Sequence, residues 1–102
     1  MTENLKIKQL VDESQVLLFM KGSPKFPQCG FSSLAGQVLD SCGAQYETFD
    51  VLQDPDVREG IKLFSNWPTI PQLYIKGEFV GGSDIIKEMY ESGELAKLIS
   101  QG

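Results

Sequence analysis

The sequence predicts a small α/β sandwich built on a mixed sheet. Three observations carry that expectation. Apolar periodicity switches between helical and strand spacing along the chain, and the last two strand segments are joined by a short turn. The third is size: 102 residues, 41% of them hydrophobic, supply one core of ordinary size, so a single domain over residues 1–102 is expected.

Taken in order, Leu5, Ile7, Leu10 and Val11 recur at roughly helical spacing among Lys6, Lys8, Asp12 and Glu13, which reads as an amphipathic opening helix. Val16-Leu17-Leu18-Phe19-Met20 is uninterrupted and apolar, the pattern of a strand buried on both faces. Gly22, Pro24 and Pro27 then shape a loop. From Cys29, Leu34, Val38 and Cys42, with Leu39 beside them, form the stripe of a helix that stops at Gly43. Residues 46–51 are a second strand candidate. Asp54 is the N-cap of a third helix with Pro55 at its first position, and Val57, Ile61 and Phe64 supply its buried face. Arg58 and Lys62, four apart, share another face. The stretch Trp67-Pro68-Thr69-Ile70-Pro71 breaks that helix. Residues 72–75 and 78–80 pair across Lys76-Gly77, Gly81-Gly82 ends the hairpin, and Ser83-Asp84 can cap a helix carrying Ile85, Ile86 and Met89, with Leu95, Leu98 and Ile99 in a helical tail.

Composition removes several classes of function. There is no histidine, which excludes Ser-His and Cys-His nucleophiles and histidine-ligated zinc, and two cysteines cannot close a four-ligand metal site within one chain. Nine Lys and Arg against fourteen Asp and Glu give a net charge of −5, which argues against a nucleic-acid binder that relies on general electrostatic attraction. The apolar run of residues 16–20 is far short of the roughly 20 residues that a membrane-spanning helix needs. Residues 1–9 show no secretory leader, and two cysteines form no disulfide framework, so a reducing compartment is expected.

The chemistry concentrates at Cys29. A cysteine opening a helix directs its sulfur at unpaired backbone N–H groups and the positive end of the helix dipole, both of which favour thiolate. Lys21, at the mouth of the same loop, adds positive charge; the competing reading is an inert core cysteine, which the neighbours Pro27, Gln28 and Gly30 do not favour. Cys42 lies on the apolar stripe and reads as a core residue. On one helix the two sulfurs are 42 − 29 = 13 residues apart, roughly 20 Å, too far for a disulfide. Ser32 stands where a Cys-x-x-Cys motif would place its resolving thiol.

Cys29-Gly30-Phe31-Ser32, preceded by Lys21 and followed by Trp67-Pro68-Thr69-Ile70-Pro71 and Gly81-Gly82-Ser83-Asp84, resembles a monothiol glutaredoxin of the CGFS type, in the thioredoxin-like superfold, over nearly the whole chain. The resemblance implies a three-layer α/β sandwich whose four-stranded mixed sheet is flanked by helices. It implies that Pro71 is a cis-proline facing Cys29 and that the backbone of Ile70, beside Thr69, pairs with the cysteinyl part of glutathione. Gly82, Ser83 and Asp84 would hold the γ-glutamyl end, while Lys21, Arg58 and Lys62 would meet carboxylates or the thiolate. Such a site suits a small anion with two carboxylates and one ammonium. Read without the family, Ser83 and Asp84 are equally simple helix caps, Arg58 and Lys62 a solvated face, Trp67 a wall or core residue, and Phe31 either exposed for a partner or core. Ser83 departs from the family pattern, where many members carry cysteine, which puts in doubt any role for a second thiol there.

Two functions follow. A [2Fe-2S] cluster wants four ligands, usually thiolates, and one chain offers Cys29 alone; two chains with two glutathiones give 2 + 2 = 4. The resemblance therefore implies a carrier that is a homodimer when cluster-bound and a monomer when apo, serving apo iron-sulfur proteins and a BolA-like partner. The alternative is a glutathione-dependent oxidoreductase with Cys29 as nucleophile, weak at most, because Lys25-Phe26-Pro27 before the cysteine resembles the poorly reductive class. A third reading, a non-catalytic interaction module, requires Cys29 to be dispensable. The expected location is bacterial cytoplasm, or an organellar matrix after removal of a transit peptide.

Overall fold

Five successive apolar residues leave the first strand no polar side to turn toward water, and the sheet buries both of its faces. The computed structural model describes residues 2–100; Met1, Gln101 and Gly102 of the expected domain lie outside the described residues. The elements are α1 (Thr2–Glu13), β1 (Val16–Met20), α2 (Gly30–Ser41), β2 (Glu47–Asp50), a 3-10 turn (Val51–Gln53), α3 (Pro55–Ser65), β3 (Gln72–Ile75), β4 (Glu78–Gly81), α4 (Ser83–Ser92) and α5 (Glu94–Ser100). The sheet order is β2-β1-β3-β4, with β1 parallel to β2 and antiparallel to β3, and β3 antiparallel to β4. The mixed four-stranded sheet is thus as expected.

Strand alternation splits the apolar residues into two cores. Val16, Leu18 and Met20 of β1 and Leu73 and Ile75 of β3 face Ala35, Val38 and Leu39 of α2, Ile86 of α4 and Leu95 of α5. Leu17, Phe19 and Tyr74 face Ile7 and Val11 of α1 and Val57 and Ile61 of α3 on the other side. Helices therefore flank both faces, giving three layers.

Local chemistry sets the boundaries. Asp54 caps α3 by accepting from the backbone N–H of Val57, Pro55 takes the first helical position, and Asn66 closes the helix in the left-handed region. Lys6 on α1 also bonds Asp54, which ties the two helices together. β2 is shorter than residues 46–51 because the Asp50 carboxylate accepts the Leu52 N–H and starts the 3-10 turn at Val51. Phe64, expected on the buried face of α3, is 37% exposed and meets the interior through the Tyr74 ring, 6.1 Å between centroids. Ser83 and Asp84 do not cap α4: Gly82 is the N-cap, without a side-chain hydrogen bond, and the helix begins at Ser83. Among the described residues no helix is long and apolar enough to cross a membrane.

Candidate functional site

The loop from β1 to α2 has a definite shape. Gly22 adopts φ +90 and pairs as an isolated bridge with Pro27, Gln28 N–H donates to Lys21 O at 2.9 Å, and Ser23 and Phe26 exchange backbone bonds at 3.3 and 3.1 Å. A Cβ at Gly22 would stand 2.4 Å from Phe26 O, so only glycine fits that closure. The Asp50 carboxylate, from the neighbouring strand, accepts Gly22 N–H at 2.9 Å and anchors the loop to the sheet.

This loop delivers Cys29 to α2 as its N-cap, in extended backbone, one residue ahead of the helix proper. The thiol is partly exposed. Burial works against its ionisation, but the backbone N–H groups of Ser32 and Phe31, the Ser32 side chain and the charge of Lys21 outweigh it, and the thiol titrates below its ordinary value of 9.0. Cys42, the C-cap of the same helix, packs against the α2-side core, and burial pushes its thiol up. Helix opening and helix end thus give two cysteines opposite character.

Cys29 opens onto a groove of about 260 Å³. Lys21, Arg58 and Lys62 supply three cations from two elements, and Thr69 and Ile70 form a wall, with Phe31 and Pro68 at the rim. The Nε of Arg58 is buried without a hydrogen-bond partner, and Lys62 Nζ bonds Glu59 at 3.2 Å. The Ile70–Pro71 peptide is cis. Gly82 packs beside this segment: a Cβ there would lie 2.9 Å from Trp67 Nε1 and 3.5 Å from Pro71 O. Gly82, Ser83 and Asp84 do not line the groove itself; they open α4 with Ser83 half-buried and Asp84 exposed. Phe31 is 61% exposed, and Trp67 stacks obliquely on Phe79 with 5.9 Å between centroids.

The wider hollows of about 880 and 430 Å³, beside α1 and β2 and beside β4 and α4, contain no cysteine, so the chemistry points to the smaller groove. Among the described residues no group of three or more Cys, Asp or Glu is disposed to hold a metal ion. Three residues that shape the site escaped the sequence reading in these roles: Asp50, the fully buried Ser32, and the fully buried Gln72, whose amide bonds Trp67 O and Thr69 O. Their one sequence signal is polarity in or beside apolar elements.

Comparison with known proteins gives a consistent picture. The model of the family Glutaredoxin matches residues 16–80. A monothiol glutaredoxin of Synechocystis sp., ycf64-like, is 54% identical over 94 residues, 92% of this chain and 88% of that protein. Human Glutaredoxin-3 is 52% identical over 92% of this chain, which spans only 28% of its length. Among solved structures, a monomeric truncated mutant of Trypanosoma brucei 1-C-Grx1 superimposes with a TM-score of 0.86 at 45% identity, covering 96% of this chain and 89% of that one. A buckwheat glutaredoxin-glutathione complex does so with a TM-score of 0.87 at 25% identity, covering 98% and 89%.

Proposed function

Since the chain belongs to the glutaredoxin family, with its thioredoxin-like fold, we propose that it binds glutathione beside Cys29. We further propose that, as a homodimer, it carries a bridging [2Fe-2S] cluster for delivery to apo iron-sulfur proteins. One observation carries the reading: a single acidified, partly exposed thiol opens onto a groove rich in cations, with no second thiol in reach. Ser32 holds the resolving position, and Cys42 sits at the far end of α2.

Each residue has a role that its chemistry supports. Lys21, Arg58 and Lys62 pair with the carboxylates of glutathione, and the buried, unpartnered Nε of Arg58 is a donor awaiting an acceptor. Backbone groups of Thr69 and Ile70, next to cis-Pro71, pair with the cysteinyl part in the manner of an added strand. Gly82 and Ser83 offer N–H groups at the start of α4, and Asp84 meets the glutathione ammonium.

The donor set fits a shared cluster and not a private one. No group of three or more metal ligands stands together among the described residues, and each chain contributes one available thiolate, Cys29. Two such chains and two glutathione thiolates complete four ligands. Half of these belong to a small molecule that can dissociate, which suits cargo that is passed on. Exposed Phe31 beside the thiol, with exposed Phe26 in the loop before it and Trp67 ahead of the Thr69–Ile70 wall, offers apolar area to a second copy, to a BolA-like protein or to a client. A location in bacterial cytoplasm or an organellar matrix completes the proposal.

The raised acidity of the thiol also supports a second, weaker activity. Cys29 thiolate attacks the glutathione sulfur of a protein–glutathione disulfide, the protein thiolate leaves, and a second glutathione releases Cys29 as glutathione disulfide forms. Anaerobic reconstitution with iron, sulfide and glutathione tests the main reading. The expected result is visible charge-transfer absorption accompanied by dimerisation, both lost in Cys29→Ser. A colourless monomer overturns it.

A further inference from the structure

We propose that Gln72 is a positioning residue whose buried amide fixes the backbone of Trp67 and Thr69, and with it the wall of the groove against which glutathione is held. This rests on the glutathione reading given above. Gln72 is 0% exposed, and a buried amide is costly unless its polar atoms are bonded. Here Nε2 donates to Trp67 O and to Thr69 O, each at 3.1 Å, and Oε1 accepts from the Tyr74 hydroxyl at 3.3 Å. Both amide protons are thereby used.

The segment between α3 and β3 needs such a clamp. Pro68 and Pro71 carry no N–H, which removes the usual backbone donors from a loop that must hold its shape. Trp67 is fixed at its other end as well, its N–H donating to Ser65 Oγ and Lys62 O, both at 3.1 Å. Gln72 closes the remaining side from within the sheet. None of these bonds reaches Cys29, whose ionisation depends on Ser32, Phe31 and Lys21. Loss of the amide should therefore affect ligand recognition and leave thiol acidity alone.

The test compares two thiol–disulfide exchanges. In each, the Cys29 thiolate attacks one sulfur of a disulfide, a mixed disulfide with Cys29 forms, the old S–S bond breaks, and the other half leaves as thiolate. One disulfide is oxidised glutathione and the other bis(2-hydroxyethyl) disulfide, which has no peptide to recognise, so the ratio of the two equilibrium constants isolates recognition. Gln72→Met, apolar and close in shape, should lower that ratio about tenfold, the order expected from losing two neutral hydrogen bonds. The thiol titration of Cys29 should stay in place, and the emission of the single tryptophan, Trp67, should shift. An unchanged ratio in the folded variant, or a thiol titration that moves along with it, overturns the proposal. Should Gln72→Met not fold, Tyr74→Phe removes only the hydroxyl that holds Oε1: a smaller fall in the ratio supports the proposal, and none overturns it. If the unaltered protein shows no preference for oxidised glutathione, the glutathione reading fails by itself. Trp67 emission in Gln72→Met then decides the positioning claim, an unshifted spectrum overturning it.

Discussion

The Ser32 hydroxyl accepts a hydrogen bond from the backbone N–H of Lys21 at 3.0 Å. One fully buried side chain thus ties the end of β1 to the first turn of α2, and its hydroxyl is also among the groups that favour the Cys29 thiolate. The residue that stands where a resolving thiol would be is a structural strut and an acidifying group together. Ser32→Ala should raise the Cys29 thiol titration, read from thiolate ultraviolet absorbance. Stability should fall by about 1–3 kcal/mol in urea unfolding, because the part-buried Lys21 N–H loses its acceptor. An unmoved titration would contradict this account.

The two thiols should respond to pH in opposite senses. The folded Cys29 titrates below 9.0, so its thiolate persists as pH falls beneath that value, and the stability it lends the fold, present above 9.0, is lost as pH falls through the folded value. Cys42 titrates above 9.0 and weakens the fold as pH rises past that point. Alkylation by iodoacetamide below pH 9.0, mapped by peptide mass, should mark Cys29 and spare Cys42 in the folded protein. Lys21→Gln should slow the reaction at Cys29 at the lower end of the range. Comparable labelling of both cysteines would refute the assignment.

Gly22→Ala should destabilise the loop that presents the thiol. The added methyl meets Phe26 O at 2.4 Å and Gln28 N at 2.8 Å on a backbone with φ +90, so the expected loss is of the order of 1–3 kcal/mol by urea unfolding. Cys29 alkylation should slow in the folded variant. Wild-type stability would show that the closure at Gly22 is not needed.

Alkali should destabilise the protein between about pH 10 and 12. Burial holds the Tyr46 and Tyr74 phenols neutral up to about 12, against an ordinary 10.0, so unfolding above pH 10 releases their protons and stability falls as pH rises through that window. The urea midpoint should drop across this range, with a shallower slope in Tyr46→Phe and in Tyr74→Phe. An unaltered slope in both variants would exclude these phenols as the cause.

Elements were legible where periodicity was strong. The unbroken run of β1 and the Asp54-Pro55 start of α3 are local signals, and the structure repeats both. Cys29 was legible because a proline-shaped loop followed by a helical stripe places it at a helix opening. What escaped depends on partners far away in sequence. Gly22 meets Asp50 across 28 residues and Lys21 meets Ser32 across 11, and no local pattern encodes those bonds. Gln72 looked like the polar start of a strand, whereas its amide completes a loop that two prolines leave short of donors. Ser83 and Asp84 carry the residue types of a cap, but the helix starts at Ser83 itself, which leaves Gly82 in that place.

The sheet divides the interior into two cores, and the groove draws on both. Cys29 rides on α2, which packs on one side, while Arg58, Lys62 and Ile70 belong to the α3 side. Sequence drift among the residues behind α2 would retune the sulfur without moving Arg58 and Lys62, and drift behind α3 would reshape the anion wall without touching the sulfur. The partition gives descendants of this chain two nearly independent dials, one for reactivity and one for the molecule held beside it.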